Sequence, residues 1–146
     1  MMFRRVAAGL GMVIAASLAE IAPASATQVS TAPGPQLVCS VPGGTTGAGR
    51  CGTSTHSPTN SYLVKFTLTG SVSASDVTAW TVPSQNVSSS GPGCTAGSLT
   101  CWLAIKSTDI DPVSVTVTVS FRFLQGAFPQ QRTATVTVPG RCPAAC

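Results

Sequence analysis

Residues Val113 to Leu124 read "VSVTVTVSFRFL". Val113, Val115, Val117, Val119, Phe121 and Phe123 fall on one face of an extended chain. Ser114, Thr116, Thr118, Ser120 and Arg122 fall on the other. Side chains of a strand alternate between its faces, so this period of two marks a strand with one face in a core and one in water. "RTATVTV" (Arg132 to Val138) repeats the pattern with Ala134, Val136 and Val138, and Pro139-Gly140 closes it. "QGAFPQQ" (Gln125 to Gln131) reads as the connection between the two strands.

The same alternation recurs upstream. "SYLVKFTLTG" places Tyr62, Val64, Phe66 and Leu68 on one face, with Leu63, Lys65, Thr67 and Thr69 opposite. "LTCWLAIK" groups Leu99, Cys101, Leu103 and Ile105, which turns Trp102 outward beside Thr100, Ala104 and Lys106. "QLVCSV" (Gln36 to Val41) and "DVTAWTV" (Asp76 to Val82) are shorter strands, the second with Trp80 in the core and Pro83 at its end. A weak strand surrounds Val87. No segment past the N-terminus has helical periodicity. Alternating strands joined by Gly/Pro/Ser turns predict an all-β fold, an antiparallel β-sandwich, with immunoglobulin-like architecture by analogy. The spacing of cysteines around a core tryptophan that marks true immunoglobulin domains is not present: Cys51 stands 29 residues before Trp80.

The N-terminus carries Arg4 and Arg5, a 14-residue apolar run from Val6 to Ala19, and Ala24-Ser25-Ala26. These are the three parts of a secretory signal peptide, with cleavage predicted after Ala26. The run is shorter than the roughly 20 residues a membrane-spanning helix needs. The predicted organisation is a signal peptide at 1–26, a flexible lead-in at 27–36 and one domain at 37–146. The expected location is secreted or periplasmic. Beyond residue 26, six basic residues face three acidic ones, a net charge of +3. The basic residues are scattered singly with few aromatics between them, which argues against a nucleic-acid partner.

All six cysteines (Cys39, Cys51, Cys94, Cys101, Cys142 and Cys146) follow that segment, and an even number in an exported chain reads as disulfides. Six cysteines allow fifteen pairings. The short loop "CTAGSLTC" favours Cys94 with Cys101. "GRCPAAC" at the C-terminus is CxxxC after a strand, not the CxxC that opens a helix in redox enzymes, so Cys142 and Cys146 read as structural. At least one of them is expected to join Cys39 or Cys51 and pin the long Gly/Ser/Thr-rich loop Pro42 to Asn60.

Residues able to carry chemistry are few. His56, the one histidine, lies in that polar loop, and Asp76, Asp109 and Asp111 are the only acids past residue 26. A triad or a carboxylate pair would have to draw on these four, with no motif around them. Asp109 and Asp111 form a weak calcium candidate, since calcium takes six to eight oxygens and the sequence offers two carboxylates; turn chemistry before Pro112 explains them as well. No cofactor is implied. The alternating Thr rows read as solvent faces of paired strands. Trp102, with Tyr62 or Phe128 beside it, is the candidate ligand platform, because a flat apolar ring with a polar edge binds at low entropic cost. The expected function is a non-enzymatic binding or structural module, probed by a protein or glycan partner and monomeric itself. A carbohydrate-binding module with two coplanar exposed aromatics and a secreted inhibitor displaying Gln125 to Gln131 or a cysteine-pinned loop are the alternatives.

Overall fold

The computed structural model describes residues 34–123 and 128–143, with the side chain of Phe128 outside the description. The predicted signal peptide, most of the lead-in, Leu124 to Ala127 and Cys146 lie outside those residues. The described residues form nine strands: β1 (Gln36–Ser40), β2 (Thr46–Ala48), β3 (Arg50–Gly52), β4 (Ser61–Thr69), β5 (Val77–Thr81), β6 (Val87–Ser90), β7 (Thr100–Lys106), β8 (Val113–Phe123) and β9 (Phe128–Val138). Among the described residues the one helical turn is a 3-10 turn at Ala74–Asp76. The fold is therefore all-β. One sheet has five strands in the order β2-β1-β4-β7-β6, the other four in the order β3-β9-β8-β5. Among the described residues every pairing is antiparallel except β3 with β9.

The strand faces read from the sequence hold. Val113, Val115, Val117, Val119 and Phe121 are buried along β8, and Ala134, Val136 and Val138 along β9. Tyr62, Val64, Phe66 and Leu68 are buried along β4, and Cys101, Leu103 and Ile105 along β7. These rows, from both sheets, form one buried cluster. Phe66 and Phe121 are its largest fully buried side chains. Arg132 closes one end of the cluster. Its guanidinium lies 5.8 Å from the Phe121 ring centroid, and its Nε–H donates to the Pro35 carbonyl at 2.8 Å.

Four expectations change. The stretch Pro42 to Asn60 is not a plain loop, because it contributes β2 to one sheet and β3 to the other. The crossing falls at Gly49, whose φ of +73° is the left-handed conformation a side chain resists. Cys39 and Cys51 bond to each other, tying β1 of one sheet to β3 of the other. Cys142 is disulfide-bonded as well, but neither Cys39 nor Cys51 is available to it. The C-terminal segment is instead held by backbone and polar contacts. The Cys142 N–H donates to Asn60 Oδ1 (3.1 Å), and the buried Ser107 hydroxyl donates to the Pro139 carbonyl (2.8 Å). Third, β9 starts at Phe128, so half of the connection expected at Gln125 to Gln131 is strand, with Gln131 opposite Ser120. Pro129 is tolerated there because β3 pairs only with residues 135–137, which leaves the outer edge of β9 open at Pro129, where no N–H is required. Fourth, Gln36 belongs to β1 and the preceding Pro35 is buried, so the lead-in is anchored at its end.

The bond between Cys94 and Cys101 is formed as expected. Trp80 is half-buried against the core and its indole N–H donates to the Ser98 carbonyl at 3.0 Å, which anchors the loop that this disulfide closes. A bulge between Val77 and Ala79 lets both Val77 and Trp80 face inward, although they are three residues apart.

Candidate functional site

Antiparallel pairing of β4 with β7 decides what surrounds Trp102. The register sets Ser61 opposite Lys106, Leu63 opposite Ala104, and Lys65 opposite Trp102. All six belong to the parity opposite the buried rows, so they share the outer face of the five-stranded sheet. Trp102 is half-buried, and the Lys65 ammonium lies 5.4 Å from its ring centroid. Such a cation–π contact contributes about 0.5–1 kcal/mol at an exposed site. Gly91 follows β6 along the other side of Trp102: its N–H donates to the Trp102 carbonyl at 2.6 Å, and a Cβ there would press on the Trp102 Cβ at 3.1 Å. The Lys65 ammonium thus lies over the ring, and Gly91 packs against the base of the side chain.

Leu63 is 52% exposed, one of two large hydrophobic residues so exposed among the described residues; the other is Ile110, in the loop after β7. Ala104 and Val38 are half-buried on the same face. An exposed leucine costs little by itself. Beside an aromatic ring and an alanine it makes a continuous apolar strip, which is what interface centres are built from. Lys65 and Lys106 flank the strip. The three described acids lie elsewhere, Asp76 before β5 and Asp109 and Asp111 in the loop after β7, and neither lysine forms an ion pair among the described residues.

Tyr62 does not join Trp102 in the aromatic platform expected from the sequence. Tyr62 is buried at 5% exposure, on the inner face opposite Ile105, and its hydroxyl accepts the Ser57 N–H at 3.1 Å. The reason is parity: Tyr62 and Trp102 point to opposite faces of one sheet. Phe128 begins β9, in the other sheet, and its side chain lies outside the described residues.

His56 is exposed and lines a cavity of about 270 Å³ with Ser57, Pro58, Ser61 and Tyr62. No aspartate lines it, and among the described residues His56 has no hydrogen bond to a serine or a carboxylate. Asp109 and Asp111 gather no third acid, histidine or cysteine among the described residues. The Asp109 carbonyl accepts the Arg141 N–H, and Gly140 packs so closely on the Ile110 carbonyl that a Cβ would collide with it. That loop is occupied in holding the C-terminal segment.

A second cleft, of about 620 Å³, lies at the other sheet between Thr78, Ser120, Arg122, Pro129 and Gln131. It is open and mixed in character, with Phe121 and Pro129 beside the polar side chains, and the Gln131 amide donates to Ser120 Oγ at 3.2 Å.

The sequence placed Leu63 and Lys65 on the polar face of their strand. It did not place them beside Trp102, because β5 and β6 separate β4 from β7 along the chain, and pairing of distant strands leaves no local signal.

No protein-family model, curated protein or solved structure matches this chain.

Proposed function

We propose that this protein is an exported, non-catalytic binding module, built as a β-sandwich of immunoglobulin-like architecture, whose contact surface is the outer face of the five-stranded sheet around Trp102. The observation that carries the reading is the apolar strip of Leu63, Ala104 and Trp102, set by register on one rigid sheet. Support for the sandwich comes from two sheets whose inward rows join one core, and from the Cys39–Cys51 bond between them. Export is supported by the N-terminal signal pattern and by disulfides, which persist in oxidising compartments. No helix among the described residues is long and apolar enough to cross a membrane.

A protein partner fits this face better than a sugar. Sugar platforms need an open ring and a coplanar second aromatic; here Lys65 lies over the ring and Tyr62 points inward. The test is capture by immobilised oxidised protein from cell-envelope and culture-fluid extracts, comparing the parent with Trp102→Ala and Leu63→Ser. The expected result is a specific partner retained by the parent and lost by both variants. Equal capture by all three, or hydrolytic turnover abolished by His56→Ala, overturns the reading.

A further inference from the structure

The two lysines on this face define a spacing. Lys106 lies opposite Ser61, and Lys65 is four residues along the same strand from Ser61. At about 3.4 Å per residue and 4.8 Å between strands, their Cα atoms are about 14 Å apart. Leu63 and Ala104 sit midway between them. The face therefore presents cation, apolar centre and cation in a line, with no acid among the described residues of either strand.

An extended peptide advances by the same increment. Its residues i, i+2 and i+4 share one side and span about 13–14 Å. A carboxylate at i would reach one lysine, an apolar side chain at i+2 would meet Leu63 and the edge of Trp102, and a carboxylate at i+4 would reach the other lysine. In a helix i and i+4 are about 6 Å apart and i+2 points away, so this four-residue spacing belongs to an extended segment. A polyanionic glycan would satisfy the lysines but leave Leu63 without a partner.

We propose that the partner docks on this face through an extended acidic segment with carboxylates four residues apart and an aliphatic residue midway between them. This rests on the binding-face reading above and names the chemistry of its ligand. Opposite charge on the partner also steers the encounter, so the interaction weakens with salt.

The test uses the oxidised full chain labelled with nitrogen-15 and three synthetic peptides: TETLTET, its charge reversal TKTLTKT, and TETSTET, which lacks the apolar anchor. The chain has two tryptophans, so the indole N–H signals report separately on the face. Trp102 lies on it, while Trp80, bonded to Ser98, serves as an internal control. TETLTET is expected to shift the Trp102 signal with a Kd of about 0.1–1 mM, and to leave Trp80 unmoved. Binding should weaken several-fold between 50 and 300 mM salt, as charge screening requires. TKTLTKT should not bind, and TETSTET should bind several-fold more weakly. The double variant Lys65→Glu, Lys106→Glu should reverse the preference and accept TKTLTKT, which a general loss of structure could not produce. Lys65→Arg with Lys106→Arg should retain binding to TETLTET.

Indifference to peptide charge overturns the proposal, as does no shift at 5 mM peptide, or binding of a polyuronate oligosaccharide in place of TETLTET. The two readings fail separately. If the peptides fail while Trp102→Ala and Leu63→Ser still abolish partner capture, only the acidic-segment inference falls. If capture also ignores both variants, the binding-face reading falls with it.

Discussion

Asn60 shows how much one residue can hold. It lies at φ 52°, a left-handed conformation, and ties two segments: its carbonyl accepts the Ser107 N–H and its Oδ1 accepts the Cys142 N–H. Asparagine is one of the few residues with a side chain that visits this conformation readily. Asn60→Gly should lose only the side-chain bond, about 1 kcal/mol, while Asn60→Ala should lose that and a further 1 kcal/mol or so of backbone strain. Urea unfolding of the two variants checks the order. Alanine proving no worse than glycine would show that the backbone there relaxes. Asp76 offers a test by pH. The Ser73 hydroxyl and N–H both donate to its Oδ2 (2.6 and 2.9 Å), which holds the carboxyl below its ordinary value of 3.8. A group with a depressed folded-state pKa stabilises above the unfolded value and loses that contribution as pH falls through the folded value. The Asp76 carboxyl should therefore titrate below 3.8 by NMR, and Asp76→Asn should flatten the stability profile at acid pH while leaving its shape near neutrality unchanged.

At the scale of elements, the disulfides do different work. Cys39–Cys51 spans 12 residues and joins two sheets; Cys94–Cys101 spans 7 and closes a loop. The chain-entropy account gives about 3 kcal/mol for the first and about 2.5 kcal/mol for the second. Replacing Cys39 and Cys51 together with alanine should lower stability by about that amount and also admit protease between residues 42 and 60, because β3 then hangs on three residues of parallel pairing. Replacing Cys94 and Cys101 should open the Gly93–Leu99 loop to protease and leave 42–60 intact. Limited proteolysis followed by mass spectrometry separates the two, and cleavage at the same sites in both would refute the division. The bond at Cys94 was readable from spacing. The bond at Cys39 was not, since six cysteines permit fifteen pairings and proximity across two sheets has no local signature. The long strands were legible for the opposite reason. Val113 to Phe121 and Tyr62 to Leu68 state their buried faces in each pair of neighbours. β2 and β3 have three residues each, too few to show a period, and the bulge in β5 breaks the parity that reading relied on. The candidate site was half legible in the same sense. The alternation of its own strand turns Trp102 outward, and the same alternation in β4 buries Tyr62 on the opposite face.

At the scale of the molecule, the two sheets turn different outer faces to solvent. The four-stranded sheet presents hydroxyls, which bond across β8 and β9 in register: Ser114 with Thr137 at 3.0 Å and Thr116 with Thr135 at 2.9 Å. Hydroxyls that satisfy one another and adjoin water have little to gain from a partner, and that face lacks any large exposed hydrophobic residue among those described. The five-stranded sheet presents Leu63, Trp102 and two lysines, with no carboxylate paired to them among the described residues. The contrast predicts which face tolerates change. Thr116→Lys and Thr135→Lys, placed singly on the hydroxyl face, should leave partner capture within about twofold and cost only the cross-strand pair, in the range of 0.2–1 kcal/mol. Leu63→Lys should reduce capture at least tenfold while changing stability by no more than about 0.5 kcal/mol, since surface substitutions away from the core rarely do more. Measuring both quantities on the same variants separates a binding face from a structural one. If Leu63→Lys lowered stability and left capture unchanged, the exposed leucine would belong to the packing of β4 on β7, and the functional surface would have to be sought on another part of the fold.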